Sequence, residues 1–168
     1  MSVEDDPRFA EFVAERANAL LRYGYALSGN PHDAADLTQE ALVRLHRAWA
    51  RVRRKEDPER YTKAIMARLH ISAWRRRRRE QLAWALPETP IEDVLPSDAD
   101  QELWQALEGL PRKQRAVLVL RFYEQLHDAE IAGVLGISQG TVRSHASLGL
   151  AKLRSAIAHR TPARRSAP

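Results

Sequence analysis

The sequence predicts an all-α protein made of two small helical modules joined by a flexible acidic linker. Glycine is scarce, at 7 of 168 residues, and helix-forming Ala, Leu, Arg and Glu dominate. Apolar residues recur at helical spacing along most of the chain. Residues 1–80 carry 17 basic and 12 acidic side chains, residues 81–110 carry 7 acidic and no basic ones, and residues 111–168 carry 10 basic and 3 acidic ones. Two basic modules around an acidic connector indicate contact with a polyanion at two places, or else ordinary solvated helix faces.

Composition excludes several functional classes. Cysteine is absent, which excludes disulfides and thiolate metal sites and fits a cytoplasmic location. No apolar run is long enough to span a bilayer, and the acidic N-terminal segment 1–6 does not resemble a signal peptide, so no membrane insertion is expected. The six histidines lack ligand spacing, and no glycine-rich phosphate loop is present. We therefore expect no metal, no cofactor and no catalytic residue.

The first module is predicted to contain three helices. The first covers about 8–27 and ends at the Ser-Gly-Asn-Pro segment 28–31, where Gly29 suits a left-handed cap and Asn30-Pro31 begins the next helix. The second helix is predicted from 31 to 51 and is followed by a basic loop, 51–55. The third begins at Asp57-Pro58 and runs to about Arg79.

The second helix has two distinct faces. Its buried stripe is predicted to be Ala34, Leu37, Ala41, Leu45 and Ala48. The opposite side carries Asp36, Gln39, Glu40, Val43 and Arg47. An apolar Val43 within this polar face is either an ordinary exposed side chain or the centre of a docking patch.

The third helix is predicted to carry a second outward side that precedes an arginine run. Lys63, Ala67, His70 and Trp74 share this side, away from core candidates such as Ile65. Five consecutive arginines, Arg75 to Arg79, follow it. The proline-punctuated, acidic segment 83–98 is typical of an extended linker.

The second module contains the most specific local pattern in the chain. A helix resumes near Ser97, with Leu103, Ala106, Leu107 and Leu110 as its apolar side, and another covers about 112–123. Segments 128–135 and 139–158 are separated by Gly136-Ile137-Ser138, with Ala132, Gly136 and Val142 at the spacing of a helix-turn-helix. Ser138 can cap the second of these helices, whose outward side chains would enter a major groove. A helical hairpin without DNA contacts is the alternative.

Three segments of the second module and one of the first carry a family resemblance. The sequences from Leu110 to Leu118, from Asp128 to Ala132 and from Gly140 to Ser144 closely resemble domain four of bacterial sigma factors. Gly29 to Glu40 resembles sigma domain two. Because the chain lacks the other domains of housekeeping sigma factors, it resembles the extracytoplasmic-function (ECF) class, closest to an actinobacterial sigma-E-like group. Domain two is then expected at 8–80, the linker at 81–98, domain four at 99–158 and a disordered tail at 159–168.

The resemblance implies a transcription initiation factor that is not itself an enzyme. Its expected partners are core RNA polymerase and promoter DNA, and it leaves open an anti-sigma factor. The polymerase-binding residues would be Asp36, Gln39, Glu40, Val43 and Arg47. The residues that contact the minus-ten element would be Lys63, His70, Trp74, Arg75, Arg76, Arg77, Arg78 and Arg79. The basic loop 51–55 corresponds to a loop that holds a flipped base in relatives. The minus-thirty-five element would contact Ser138, Gln139, Thr141, Arg143, Ser144, His145, Ser147 and Leu148.

Two other functions remain open at the level of sequence. An autonomous helix-turn-helix regulator would need a way to span two half-sites, and no dimerisation helix is visible in the sequence. A purely protein-binding helical module is the other. Leu148 stands where relatives often carry a basic residue, so one DNA contact is expected to be missing or replaced by an apolar contact with a thymine methyl group.

Overall fold

The computed structural model describes residues 6–77 and 101–160, without the side chains of 73–77 and 160. Within these ranges the chain forms seven α-helices and one π-helical turn, and no strand. It divides into two compact units, 1–95 and 96–168. The predicted all-helical fold class is confirmed. The linker predicted at 81–98 lies outside the described residues.

Three helices form the first unit: α1 (Pro7–Ser28), α2 (Pro31–Lys55) and α3 (Pro58–Arg77). Each begins with proline, whose missing N–H and fixed φ suit a first helical position. The preceding residue supplies a cap in each case, because the carboxylate or amide oxygens of Asp6, Asn30 and Asp57 accept bonds from backbone N–H groups of the following turn. These local signals explain why the helix starts could be predicted from sequence.

The turn between α1 and α2 is very short. Gly29 ends α1 with a left-handed φ of 69°, and its N–H donates to the Tyr25 carbonyl at 2.7 Å. Further back in α1, Gly24 lies so close to α2 that an added Cβ would be 3.1 Å from the carbonyl oxygen and 3.2 Å from the Cα of Ala34. The absence of a side chain at Gly24 therefore allows the two helices to approach closely.

The core of the first unit lies between these three helices, since α1 packs on α2 and α3 packs on both. Its fully buried large side chains are Leu20, Tyr23, Leu27, Leu45, Val52, Thr62 and Met66. A second layer forms around Trp49, against which Phe9 and Phe12 of α1 pack at ring separations of 5.3 and 5.7 Å. The indole N–H of Trp49 donates to Asp6 at 3.1 Å, which ties the start of α1 to α2.

The basic segment 51–55 is helical, so its prediction as a loop is wrong. It forms the last turns of α2, because Val52 continues the buried series after Leu45 and Trp49 and is completely inaccessible to solvent. Basic side chains are favourable at this position, near the negative end of the helix dipole. Only residues 56 and 57 connect α2 to α3.

The second unit contains α4 (Gln101–Glu108), α5 (Arg112–Leu118), α6 (Asp128–Leu135) and α7 (Gln139–Arg160), and Val119–Tyr123 extends α5 as a π-helical turn. Helices α4, α5 and α6 all pack against α7. Helix α7 includes residues 159 and 160, which had been predicted to start the tail; the rest of the predicted tail lies outside the described residues.

The central helix of this unit is α5, which is buried at every position from 114 to 120. Helix α4 packs against α7 and buries Ala106 and Leu107, and Leu110 follows them into the core. Leu103 had been predicted on the same apolar side, but its residue remains 42% exposed. That part of the prediction is wrong, because the short α4 places only its C-terminal turn against the core.

Candidate polymerase-binding and DNA-binding surfaces

The outward face of α2 is built as the two-faced pattern predicted. Ala34, Leu37, Thr38, Ala41 and Leu45 are buried, which commits the other side of the helix to solvent. Ala48, predicted in the buried stripe, is only half-buried, and its neighbour Trp49 is buried instead. Asp36, Gln39, Glu40, Val43 and Arg47 are all exposed. The residue at the centre, Val43, is 42% exposed, and Glu40 forms an ion pair with Arg44 at 2.9 Å. This α2 face therefore presents an acid, an amide and an apolar side chain together.

An open apolar groove of about 360 Å³ borders the α2 face. Gln39 and Val43 belong to both surfaces. The groove is lined by Phe9, Val13, Leu21, Ala35, Thr38, Gln39, Leu42, Val43 and His46. Sequence reasoning missed it, although half-buried Ala35 and Leu42 lie between the two faces of α2 and could have indicated it.

The predicted outward side of α3 is only partly exposed. His70 is 3% exposed and Ala67 is completely buried, so the prediction that His70 shares an exposed face with Lys63 is wrong. Helix α3 has apolar residues on more than one side, and both neighbouring helices pack against it. The burial of His70 leaves it little surface for a base contact.

Lys63 is held in place by neighbours within the first unit. Its ammonium forms an ion pair with Glu59 at 3.0 Å and lies 5.5 Å from the centre of the Tyr23 ring. Glu59 is shared with Arg16 of α1, at 3.4 Å. The backbone of α3 continues to Arg77, and the side chains of Trp74 and the arginine run 75–79 lie outside the description.

The end of α2 carries a cation that is also engaged. The Arg51 guanidinium donates to Glu56 at 3.0 Å and to the Tyr61 hydroxyl at 3.3 Å, and it lies 5.5 Å from the centre of the Tyr61 ring. Because 51–55 is helical, a base held there would meet the side of a helix rather than a loop. The expectation of a flipped-base loop at 51–55 is therefore wrong in its geometry.

The second unit contains the predicted helix-turn-helix. Gly136 ends α6 with a left-handed φ of 66°, and the Ile137 N–H donates to the Ala132 carbonyl at 3.1 Å. The Ser138 hydroxyl then accepts a bond from the Thr141 N–H at 3.1 Å, which caps α7. Val142 is completely buried beneath the second helix, as the spacing predicted.

Most of the predicted recognition residues on α7 are exposed. Gln139, Arg143, Ser144, Ser147 and Leu148 face solvent, with Leu148 54% exposed. Ser138 is exposed as well, but its hydroxyl lies 2.8 Å from that of half-buried Thr141. These two side chains therefore serve the cap before they serve a ligand.

His145 departs from the predicted outward set. Its residue is only partly exposed, and its Nδ1 is buried without a hydrogen-bond partner among the described residues. Burial lowers the pKa of His145, and the positive charge of Lys113 lowers it further. The imidazole is therefore turned partly toward α5 and favours its neutral form.

A cavity at the start of α6 and α7 was missed from sequence. It measures about 690 Å³ and is lined by Arg121, Gln125, Leu126, His127, Asp128, Ala129 and Gln139. Two of these lining residues, Arg121 and Asp128, form an ion pair at 2.6 Å. Gln125 has a left-handed φ of 55°, a conformation that no sequence signal marks in a glutamine. The basic Arg121 in the middle of the α5 extension was the available signal.

Neither a metal site nor a membrane span emerges from the described ranges. Residues 6–77 and 101–160 hold no group of three His, Asp or Glu side chains that could bind a metal ion. Among the same residues, no helix is long and apolar enough to cross a bilayer.

A helical unit with an exposed polar face, joined in one chain to a helix-turn-helix unit whose second helix is exposed, is typical of a DNA-binding transcription factor. The sequence matches the family models Sigma-70 region 2 over residues 12–80 and Sigma-70 region 4 over residues 100–153. It is 38% identical to the RNA polymerase sigma-E factor of Streptomyces coelicolor over 90% of this chain and 87% of that one. It is 37% identical to the ECF RNA polymerase sigma factor SigE of Mycolicibacterium smegmatis over 90% of this chain and 62% of that one. The chain belongs to the RNA polymerase sigma factors, in the ECF class.

The fold has solved counterparts. The sigma factor RpoE of Bartonella quintana, in complex with the anti-sigma factor NepR, superposes with a TM-score of 0.65 at 21% identity, covering 93% of this chain and all of that one. CnrH in complex with the cytosolic domain of CnrY gives 0.59 at 22% identity, covering 95% and 94% of the two chains. The predicted family and function are confirmed, and the alternative of an autonomous regulator is not favoured.

Proposed function

We propose that the two units divide the work of promoter recognition. Residues 8–80 dock on core polymerase and engage the minus-ten element, residues 99–158 bind the minus-thirty-five element, and 81–98 link them. The support is that each family match falls within one of these ranges. The chain itself performs no catalysis, and it works in the cytoplasm, where polymerase and promoter DNA are found.

The polymerase contact is proposed at the α2 face of Asp36, Gln39, Glu40, Val43 and Arg47. The observation that carries this proposal is the exposure of Val43 at the centre of an otherwise polar face. A desolvated apolar centre with a polar rim is the usual anatomy of a protein interface. The apolar groove beside Gln39 and Val43 extends the surface that a partner would bury.

The minus-ten contacts are proposed for Lys63, Trp74 and the arginine run 75–79. His70 is not among them because it is buried. Lys63 would reach a phosphate only by exchanging its ion pair with Glu59. Each phosphate neutralised by the arginines would release counterions and make binding salt-sensitive. Trp74 would offer a flat surface to an unstacked base.

The minus-thirty-five contacts are proposed along the exposed face of α7. Arg143 and Ser144 would contact base edges, with Gln139 and Ser147 on either side of them. Ser138 and Thr141 lie at the positive end of the helix dipole, where a phosphate is favoured. His145 would contribute only through the part of its ring that remains exposed.

An anti-sigma protein is the third proposed partner. The RpoE counterpart is captured with the anti-sigma factor NepR, and CnrH is captured with the cytosolic domain of CnrY; this chain shares the fold of both. Such a partner would compete with core polymerase if it covered the α2 face.

The test is a binding and transcription assay with core polymerase. The purified chain should form a stoichiometric complex on size exclusion and start transcription at promoters that core polymerase alone ignores. Asp36→Arg or Gln39→Arg should abolish the complex, because a desolvated cation facing a site built for an acceptor costs about 2–5 kcal/mol. Glu15→Arg places the same charge at an exposed position of α1 and should leave the complex intact.

One result would contradict the proposed polymerase contact. Tight and specific promoter binding by the free chain, with no affinity for core polymerase, would show that the α2 face has another purpose. Circular dichroism of each variant checks that helicity is unchanged.

A further inference from the structure

We infer that Leu148 recognises a thymine through its 5-methyl group in the minus-thirty-five element, an inference that rests on the proposed function of α7. The starting observation is a leucine that is 54% exposed on the recognition helix. A single exposed leucine is ordinary on a protein surface. Leu148, however, lies among the residues proposed to contact bases, so a base is the expected partner of its exposed side chain.

Leu148 lies on the side of α7 that points away from the core of the second unit. The opposite side is fixed by Val142, Ala146 and Gly149, all of which are buried. Gly149 contacts α5 so closely that an added Cβ would be 3.1 Å from Leu118. At about 100° per residue, Leu148 lies about 40° from Ser144 around the helix, so both share the exposed face.

The middle of this exposed face carries no charge. Between Arg143 and Lys152 the sequence has only Ser, His, Ala, Leu and Gly, and His145 in that stretch is the partly buried exception with a lowered pKa. Cations, the strongest phosphate contacts, are absent from these exposed positions, and only the hydroxyls of Ser144 and Ser147 could donate to a phosphate there. The face is therefore suited to the floor of the groove, with its cations at the two ends.

The chemistry of the major groove selects the ligand of Leu148. A leucine can neither donate nor accept a hydrogen bond, so the acceptors and donors of base edges offer it nothing. The 5-methyl group of thymine is the apolar feature that a base pair presents there. Burying that methyl against Leu148 would give a preference for thymine at one position of the element, without any added phosphate affinity.

The experiment uses the complex of the full chain with core polymerase. Duplexes with a randomised upstream region are first selected for binding, and the best duplex is then synthesised with each thymine replaced singly by deoxyuridine. This replacement removes one methyl group and keeps all hydrogen-bonding groups. One replacement should weaken binding roughly three- to fivefold, the factor for one buried methyl group.

The variants identify the residue that senses this methyl. In Leu148→Ala, the same replacement should have no effect, and binding to the thymine duplex should already be weaker by the same factor. Leu103→Ala removes another exposed leucine of the second unit and should retain the full sensitivity to deoxyuridine. Leu148→Asn keeps the branched shape of the side chain without its apolar end and should likewise be insensitive to the replacement by deoxyuridine.

The outcomes separate this inference from the proposed function. If the wild-type complex binds the selected promoter but tolerates every replacement by deoxyuridine, or if Leu148→Ala keeps the sensitivity, the inference is overturned and the proposed function stands. If Leu148→Ala weakens binding to polymerase and leaves DNA selectivity unchanged, Leu148 is a protein contact and the inference is also overturned. Failure of the wild-type chain to form any promoter complex with polymerase would overturn both.

Discussion

The hydroxyl of Tyr23 in α1 donates a hydrogen bond to the backbone carbonyl of Lys63 in α3, at 3.1 Å. Tyr23 is completely buried, and the Lys63 ammonium lies over its ring. One side chain of α1 thus holds both the backbone and the side chain of a residue proposed to face the minus-ten element. The orientation of α3 therefore depends in part on Tyr23, which lies 40 residues before Lys63 in the chain.

Tyr23→Phe removes this hydrogen bond and keeps the ring. We expect a loss of about 1 kcal/mol in the free energy of unfolding of the first unit, the typical value for one intramolecular hydrogen bond. Amide hydrogen exchange of α1 and α3 measures it, with exchange in the second unit as the internal control. Unchanged protection in α3 would mean that packing alone positions this helix.

The helix-turn-helix shows how far local sequence signals reach. Gly136 and Ser138 occupy the predicted cap positions, and Val142 occupies the predicted buried one. Each of these roles depends on neighbours within a few residues, so the sequence pattern was sufficient. The exposed face of α2 was predictable for the same reason, since one helix with a strong two-sided pattern defines both faces.

The predictions that are wrong concern segments where tertiary packing overrides the local sequence pattern. Helix α3 is packed by both α1 and α2, so His70 is buried although its helical position matched that of Lys63. The charges of residues 51–55 suggested a loop, but the buried series of Leu45, Trp49 and Val52 continues the helix. The Arg121–Asp128 pair joins two elements across a turn with an unusual left-handed glutamine, which no periodicity indicates.

Two glycines of the second unit should respond oppositely to alanine. Gly133 lies within α6 with nothing within 4 Å of an added Cβ, so Gly133→Ala should stabilise the unit by about 0.5–1 kcal/mol. Gly149 lies against Leu118 and Gln114 of α5, where the same methyl would meet atoms at 3.1 to 3.4 Å. Gly149→Ala should therefore destabilise the unit despite its better helix propensity. Hydrogen exchange of the α5 amides measures the stability of both variants. Equal stabilities would show that α5 and α7 move apart easily enough to accommodate the methyl group at residue 149.

Ser138 has two proposed uses that can be separated by substitution. Ser138→Ala removes the acceptor of the Thr141 N–H and should cost about 1 kcal/mol of stability in the second unit. Ser138→Asp keeps a good cap and should restore that stability, but its charge should repel a phosphate and weaken promoter binding of the polymerase complex. Thermal unfolding and DNA titration measure the two effects. If Ser138→Asp binds DNA as wild type does, no phosphate approaches this end of α7.

The lowered pKa of His145 predicts a pH dependence of stability. Burial and Lys113 disfavour the protonated ring in the folded state, so the unfolded chain binds more protons as the pH falls through the ordinary histidine value of 6.5. The second unit should therefore lose stability as the pH falls below the ordinary histidine value of 6.5. His145→Gln should reduce that loss, whereas His159→Gln, at an exposed position near the end of α7, should not. Urea unfolding at several pH values measures the free energy of unfolding of wild type and both variants. The same dependence on pH in all three proteins would contradict the prediction.

Arg143 tests whether the exposed face of α7 selects bases or only holds the backbone of DNA. It lies one residue before Ser144 on the exposed part of the helix, and a guanidinium at such a position can donate two bonds to a guanine. Arg143→Ala should then weaken binding of the polymerase complex to its preferred upstream element by about 1–3 kcal/mol and relax selectivity at one base pair. Lys152→Ala, which removes a cation about two and a half turns further along α7, is the matched comparison. A phosphate contact would instead give a uniform loss on all sequences and lower the salt dependence by about one counterion. Titration of each variant on the selected and on scrambled upstream elements, at several salt concentrations, distinguishes the two. A uniform loss for Arg143→Ala would move base selection to Ser144 and its neighbours.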